Sequence, residues 1–165
     1  EEKMERLSLR KVIGQVYELF EHQFLMGQIQ CHIESKEDLP DILGDKQGLQ
    51  QVFTNLLINA VDALEEKNDG KRIINVKTYS SQDKAFVEVE DNGCGIPEEI
   101  QARIFDPFFT TKEEGKGTGL GLSLVYGIVE NHGGQIKAEN KTDRGATFTI
   151  ELPLTPKTEG GSESG

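Results

Sequence analysis

The chain has 165 residues, with 18 Lys and Arg against 29 Asp and Glu, a formal net charge of −11 at pH 7. That length fits one domain with a core of its own, and 35% hydrophobic with 28% charged residues excludes a wholly disordered chain. The acidic balance excludes wrapping of a nucleic-acid backbone, which needs Lys and Arg at phosphates, and no apolar run reaches the about 18–20 residues of a membrane span.

Leu7 to Met26 predicts an amphipathic helix, because Val12, Ile13, Val16, Tyr17, Leu19, Phe20 and Phe24 recur at spacings of three and four. Short β-type runs follow at Ile29–Ile33 and Ile42–Leu43, separated by polar residues and Pro40. Asp45 offers an N-cap for a second helix reaching about Glu66, and Asn68-Asp69-Gly70 is the turn that ends it. The period then changes to two. Ile74, Val76 and Thr78 alternate with Asn75, Lys77 and Tyr79, Val87 and Val89 with Glu88 and Glu90, and Ala146, Phe148, Ile150 and Leu152 with Thr147, Thr149 and Glu151. Between Asp91 and Gly121 lies a stretch with little strand pattern and six glycines. A third helix is predicted over Leu120–Asn131, then His132-Gly133-Gly134 and a strand over Gln135–Glu139. The Gly/Ser/Glu-rich tail Thr155–Gly165 is expected to be disordered. Helices on one face of a mixed or antiparallel sheet give a two-layer α+β sandwich. The chain begins at Glu1 and not Met, which suggests a piece of a longer protein. Cys31 and Cys94 make no disulfide framework and no Cys/His spacing suggests zinc, so a reducing, cytoplasmic setting is expected.

Three features carry chemistry. On the second helix Asn55, Asn59 and Asp62 form one column at i, i+4 and i+7 beside an apolar face. Asn is a poor interior helix residue, and its amide carries a desolvation cost unless it is paired. Buried backbone, a nucleotide or a small hard ion could supply the partner, and an amide oxygen with a carboxylate suits Mg²⁺. The second feature is Asp91-Asn92-Gly93-Cys94-Gly95-Ile96, directly after a strand. A carboxylate there can accept from a nucleobase amine while glycines admit a flat ring, or it can simply close an Asx-turn. The third is Gly115-Lys116-Gly117-Thr118-Gly119-Leu120-Gly121, which fits neither a Walker loop nor the dinucleotide fingerprint but runs straight into a helix. It offers free amides and a positive helix end to phosphates. The segment from Asn92 to Gly121 nets −2, so local amides, one or two lysines and a divalent cation, not bulk basicity, have to hold a polyphosphate.

In this order the pieces resemble the ATP-binding catalytic domain of sensor histidine kinases, in the superfamily that also holds gyrase B, MutL and a heat-shock chaperone. Asn55-Leu-Leu-Ile-Asn59-Ala-Val-Asp62-Ala resembles the N box, and Asp91-Asn-Gly93-Cys-Gly95-Ile96 the first glycine box. Phe105-Asp-Pro-Phe108-Phe109-Thr110-Thr111-Lys112 resembles the F box, most like that of the nitrogen-regulation branch. Gly117-Thr-Gly119-Leu-Gly121-Leu122-Ser resembles the second glycine box and Gly145-Ala-Thr147-Phe the last short motif. The likeness covers about Leu7 to Leu154.

The resemblance implies a Bergerat-type fold, a two-layer sandwich with helices on one face of a mixed sheet, filling residues 1–154, with a lid over about 92–121. It implies ATP and Mg²⁺ as the bound species, with Asn59 as the metal ligand, Asn55 on the phosphates and Asp62 among the nucleotide-binding residues, at a position where many kinases of the family carry Lys. Asp91 is then the reader of the adenine amine, with Gly93, Gly95, Ile96 and Thr147 around the ring. Thr111, Lys112, Lys116, Gly117, Thr118, Gly119, Leu120, Gly121 and Leu122 are the implied phosphate-side contacts. Hydrolysing members of the superfamily carry a Glu general base where this chain has Asn55, and an amide cannot take a proton from water. Transfer to another acceptor is therefore expected over hydrolysis. The implied partners are ATP or ADP, a histidine-containing dimerisation domain of the same protein, and a response regulator. The resemblance implies an acceptor histidine typically followed by an acidic residue, and none is expected in this chain, because His22-Gln23, His32-Ile33 and His132-Gly133 all lack that context; His132 is expected to serve as a charge at a helix C-terminus. A related ATPase, a serine-kinase regulator, or a nucleotide-sensing module without turnover are the competing readings.

Overall fold

A computed structural model describes residues 3–36, 38–67, 69–106 and 121–154. Helix α1 (Leu9–Gly27) starts at Ser8, whose side chain accepts the Lys11 amide, and buries Leu9, Val12, Ile13, Val16, Phe20 and Phe24. Leu19, expected on that apolar face, is 77% exposed. At 100° per residue it falls outside the arc shared by Val16, Phe20 and Phe24. Before α1 lies a short strand with no advance signal, β1 (Met4–Leu7), which pairs antiparallel with β3 (Ile42–Asp45).

Helix α2 (Lys46–Glu65) follows with Asp45 at the N-cap position, as its sequence predicts, although the Asp45 side chain makes no capping bond. Its buried face is Leu49, Val52, Phe53, Leu56, Leu57, Ala60, Val61 and Leu64, while Ile58 lies on the open side.

Strands β2 (Ile29–Ser35), β4 (Arg72–Ser81), β5 (Lys84–Asp91), β6 (Gln135–Asn140) and β7 (Ala146–Pro153) form one sheet in the order β2-β4-β5-β7-β6. All pairs are antiparallel except β2 with β4, so the sheet is mixed. Its inward residues Ile74, Val76, Val87, Val89, Phe148, Ile150 and Leu152 meet α1, α2 and α4 (Gly121–Asn131) in one core. Each such side chain, fully buried, is worth about 1.5–3 kcal/mol. The result is the two-layer α+β sandwich with helices on one face of a mixed sheet. A one-turn helix, α3 (Glu98–Gln101), lies in the stretch expected to be irregular. Among the described residues no helix is long and apolar enough to cross a membrane. Thr155–Gly165, expected to be disordered, lies outside the described residues.

Candidate functional site

Asp91 is the last residue of β5 and points inward with Val87 and Val89. It is 2% exposed. One carboxylate oxygen accepts the Gly93 amide at 2.8 Å, so the Asx-turn weighed from the sequence is present. Burial raises the Asp91 pKa above the ordinary aspartate value, while the Gly93 and Ala146 amides and Lys141 pull it down. A buried carboxylate that retains acceptor capacity is suited to a donor arriving from outside the chain.

The backbone after Asp91 lies directly on α2. The Cys94 amide donates to the Ala63 carbonyl at 3.3 Å, and a Cβ on Gly93 would stand 2.3 Å from that same carbonyl oxygen. Only glycine allows this approach, which brings the end of β5 against the turn of α2 that follows Asn59 and Asp62. Gly95 has φ +79°, and Gly145, at φ +104°, would place a Cβ 2.0 Å from the Asp91 carbonyl oxygen. These glycines are therefore conformational requirements of the site wall.

Two asparagines, Asn92 and Asn140, shape the same wall with their side chains. Asn92 accepts the Ile73 amide at 2.9 Å and donates to Lys71 O at 2.8 Å, extending the β4–β5 edge with a side chain. Asn140, at the end of β6, accepts the Ile96 amide and donates to the Ile96 carbonyl, both at 2.6 Å. The side-chain amide thus copies a backbone strand partner and fixes Ile96 beside the cleft. An Asn leaving a strand, facing a loop with unpaired backbone, was the available signal.

Asn55, Asn59 and Asp62 share one face of α2, and each is half-buried. Asn55 donates through Nδ2 to the Gly121 carbonyl at 3.4 Å, which puts the column beside the first turn of α4. The Asn59 side chain makes no hydrogen bond among the described residues. Leu122 is half-buried against the core. Phe105 docks the start of the F box inward, 5.9 Å from the Tyr126 ring and edge-on to Phe148 at 6.4 Å. Thr111, Lys112, Lys116, Gly117, Thr118, Gly119 and Leu120 lie outside the described residues.

One expectation is corrected. Thr147 pairs across the ladder with Glu90 and Glu139, on the face of the sheet away from the helices. Ala146 is the β7 residue that shares the inward face with Asp91, because strand neighbours alternate sides. Thr147 is therefore not a wall of this cleft.

The histidines also sort clearly. His22 and His32 are exposed on α1 and β2. His132 is 7% exposed: its Nε2 accepts the Asp45 amide at 2.9 Å and its Nδ1 lies 2.8 Å from the Ile128 carbonyl. A nitrogen that accepts from an amide carries a lone pair, so the ring is neutral with its proton on Nδ1, and the expected helix-end charge is not what it supplies. Burial pushes the Cys94 thiol up, away from the reactive thiolate.

Residues 44–156 match the family model described as histidine kinase-, DNA gyrase B-, and HSP90-like ATPase. The chain belongs to this family. It is 39% identical over 153 residues to the signal transduction histidine-protein kinase AtoS of Escherichia coli (strain K12), covering 93% of this chain and 24% of AtoS. It is 40% identical over 149 residues to sporulation kinase A of Bacillus subtilis (strain 168), covering 90% of this chain and 24% of that kinase. The chain thus spans about a quarter of the length of these curated relatives. Among solved structures, the catalytic domain of histidine kinase ThkA matches at a TM-score of 0.83 and 36% identity, covering 93% of this chain and 97% of that one. ThkA in complex with the response regulator protein TrrA matches at 0.78 and 34%, covering 93% and 42%. Full-length ShkA in complex with AMPPNP matches at 0.82 and 26%, covering 95% and 32%.

Proposed function

We propose that this chain is the ATP-binding catalytic unit of a sensor histidine kinase, working on the cytoplasmic side. It donates the γ-phosphoryl group of ATP to a histidine on a helical dimerisation domain that precedes it, and a response regulator then receives the group. The observation that carries this reading is the union of a buried carboxylate at the end of β5 with an Asn column on α2, across the glycine contact at Ala63. The nucleotide complex of ShkA and the response-regulator complex of ThkA support the choice of partners.

In this reading Asp91 accepts the exocyclic amine of adenine, with Gly95 and Ile96 along the ring. Asn55 and Asn59 face the phosphates. Among the described residues no group of three or more His, Cys, Asp or Glu could hold a metal by itself. A single amide oxygen nevertheless fits Mg²⁺ that arrives on the nucleotide and keeps several waters, with Asn59 as its protein ligand. When bound, the ion neutralises charge on the transferring phosphoryl group. The residues of the chain bind, orient and exclude water, and Asn55 stands where hydrolysing members of the superfamily carry a Glu base. Residues 92–121 form the lid, with Thr111, Lys112, Lys116 and the 117–121 amides on the phosphates.

Mixing the chain with the dimerisation domain of its parent protein and ATP tests the proposal. The expected product is an acid-labile phosphohistidine on that domain, lost with Asp91→Ala. Bound nucleotide with no label transferred overturns the kinase reading, and free phosphate or acid-stable phosphoserine turns it toward the ATPase or serine-kinase alternatives.

A further inference from the structure

His132 closes helix α4 in a geometry that fixes where its ring lies. Gly133, at φ +75°, takes the left-handed position. The amides of Gly133 and Gly134 return to the carbonyls of Glu130 and Val129 at 2.8 and 3.0 Å. This is a Schellman closure with His132 as the last helical flank. The ring is thereby held between Ile128 O and the amide of Asp45, the residue at which β3 becomes α2.

The opposite wall is cleared for it. A Cβ on Gly44 would stand 2.9 Å from Leu49 Cδ1 and 3.2 Å from the Cδ2 and Nε2 atoms of His132, and one on Gly48 would stand 2.8 Å from Asp45 Oδ2 and 3.3 Å from Ile128 Cγ2. Two glycines, one in β3 and one in the first turn of α2, therefore seat the C-terminal end of α4. At its other end α4 meets α2 again, through Asn55 Nδ2 and the Gly121 carbonyl. Helix α4 runs antiparallel to α2 and is tied at both of its own ends, to the start and to the middle of α2. Asp45 to Asn55 spans about 15 Å and Gly121 to His132 about 16 Å at the helical rise, so the two ties measure off the same length. Shifting one end along the axis shifts the other.

We infer that His132 is a positioning residue: its neutral imidazole is a strut that sets the axial register of α4 on α2. Through that register it sets the distance from the N-terminal turn of α4 to Asn55 and Asn59. The inference deepens the proposed function, since that turn is the one placed at the nucleotide phosphates. A backbone N–H and a backbone C=O on two separate elements both bind the same rigid ring, so neither can drift without the other. Asp91 and the base end of the cleft lie outside this linkage, being carried by β5 and the Ala63 contact.

The test compares ATP and adenosine affinities by calorimetry and competition for the wild type, His132→Asn, His132→Gln and Gly48→Ala, with a thermal melt of each. His132→Asn is expected to weaken ATP at least about fivefold and adenosine less than about twofold. His132→Gln, whose amide oxygen can reach the Asp45 amide, recovers part of the loss. Gly48→Ala, which keeps the imidazole but whose Cβ would meet Asp45 Oδ2 at 2.8 Å and Ile128 Cγ2 at 3.3 Å, disturbs the same seat, repeats the ATP-selective loss and decides the matter if the His132 variants do not fold. A fall in melting temperature with an unchanged ATP-to-adenosine ratio in the folded variants overturns the strut. Amide exchange without nucleotide separates this from the functional proposal. Faster exchange reaching residues 121–125 supports the strut even if the wild type binds no ATP, and a change confined to residues 129–134 overturns it.

Discussion

Asp91 places binding and stability in opposition within one side chain. Burial raises its pKa in the fold above that of the unfolded chain, so the native state holds the proton more tightly. Its contribution to stability is therefore largest below the unfolded pKa and is lost as pH rises through the folded one. Nucleotide affinity should run the other way, falling as acid protonates the acceptor at a pH above the ordinary aspartate range. Asp91→Asn removes the buried charge while keeping an oxygen for the Gly93 amide. The expected outcome at pH 7 is a melting temperature equal to or above wild type, with ATP binding lost in calorimetry. At Gly145 the demand is steric. Alanine there combines a left-handed φ with a Cβ 2.0 Å from the Asp91 carbonyl oxygen, and urea unfolding should show a loss of at least about 2 kcal/mol.

Arg72 acts between elements. Its guanidinium donates to the Gly27 carbonyl at the end of α1 and to the Glu65 and Lys67 carbonyls at the end of α2, at 3.1–3.3 Å. Helix C-termini leave carbonyls without intrahelical partners, and one planar fork closes two such ends onto the first residue of β4. Arg72→Met should cost about 1.5–3 kcal/mol in urea unfolding, the range for hydrogen bonds to a charged group. Arg72→Lys should recover less than half of it, because one ammonium cannot span three carbonyls. Asn140 does comparable work for the loop after β5. Replacing it with Ala releases both Ile96 backbone groups, and exchange protection at the Ile96 amide should fall with little change at the centre of β5.

Across the molecule, the core is set by which helix arcs face the sheet. Phe20 is buried and Leu19 is exposed although they are adjacent and both apolar. Phe20→Ala should cost about 3–5 kcal/mol, whereas Leu19→Gln should change stability by less than about 0.5 kcal/mol. Equal effects in a chemical melt would show that α1 packs by another face. The sheet order makes β5 the central strand, and its last residue, Asp91, leads into the backbone that lies on the one helix carrying the Asn column, so residues about 30 apart in sequence share a cleft.

Periodicity and punctuation were legible in the residues themselves. The period of 3.6 in α1 and α2, the period of two in β4, β5 and β7, the N-cap position of Asp45 and the glycine-flanked Asp91 each depend on neighbours within a few positions. The tertiary structure decided what those elements meet. The β1–β3 ribbon, the parallel register of β2 and the clamp at Arg72 have no local signature. The proton on His132 is fixed by an amide 87 positions away. Local order follows from torsions and spacing along the chain, whereas the environment of a side chain is set by whatever distant segment closes over it.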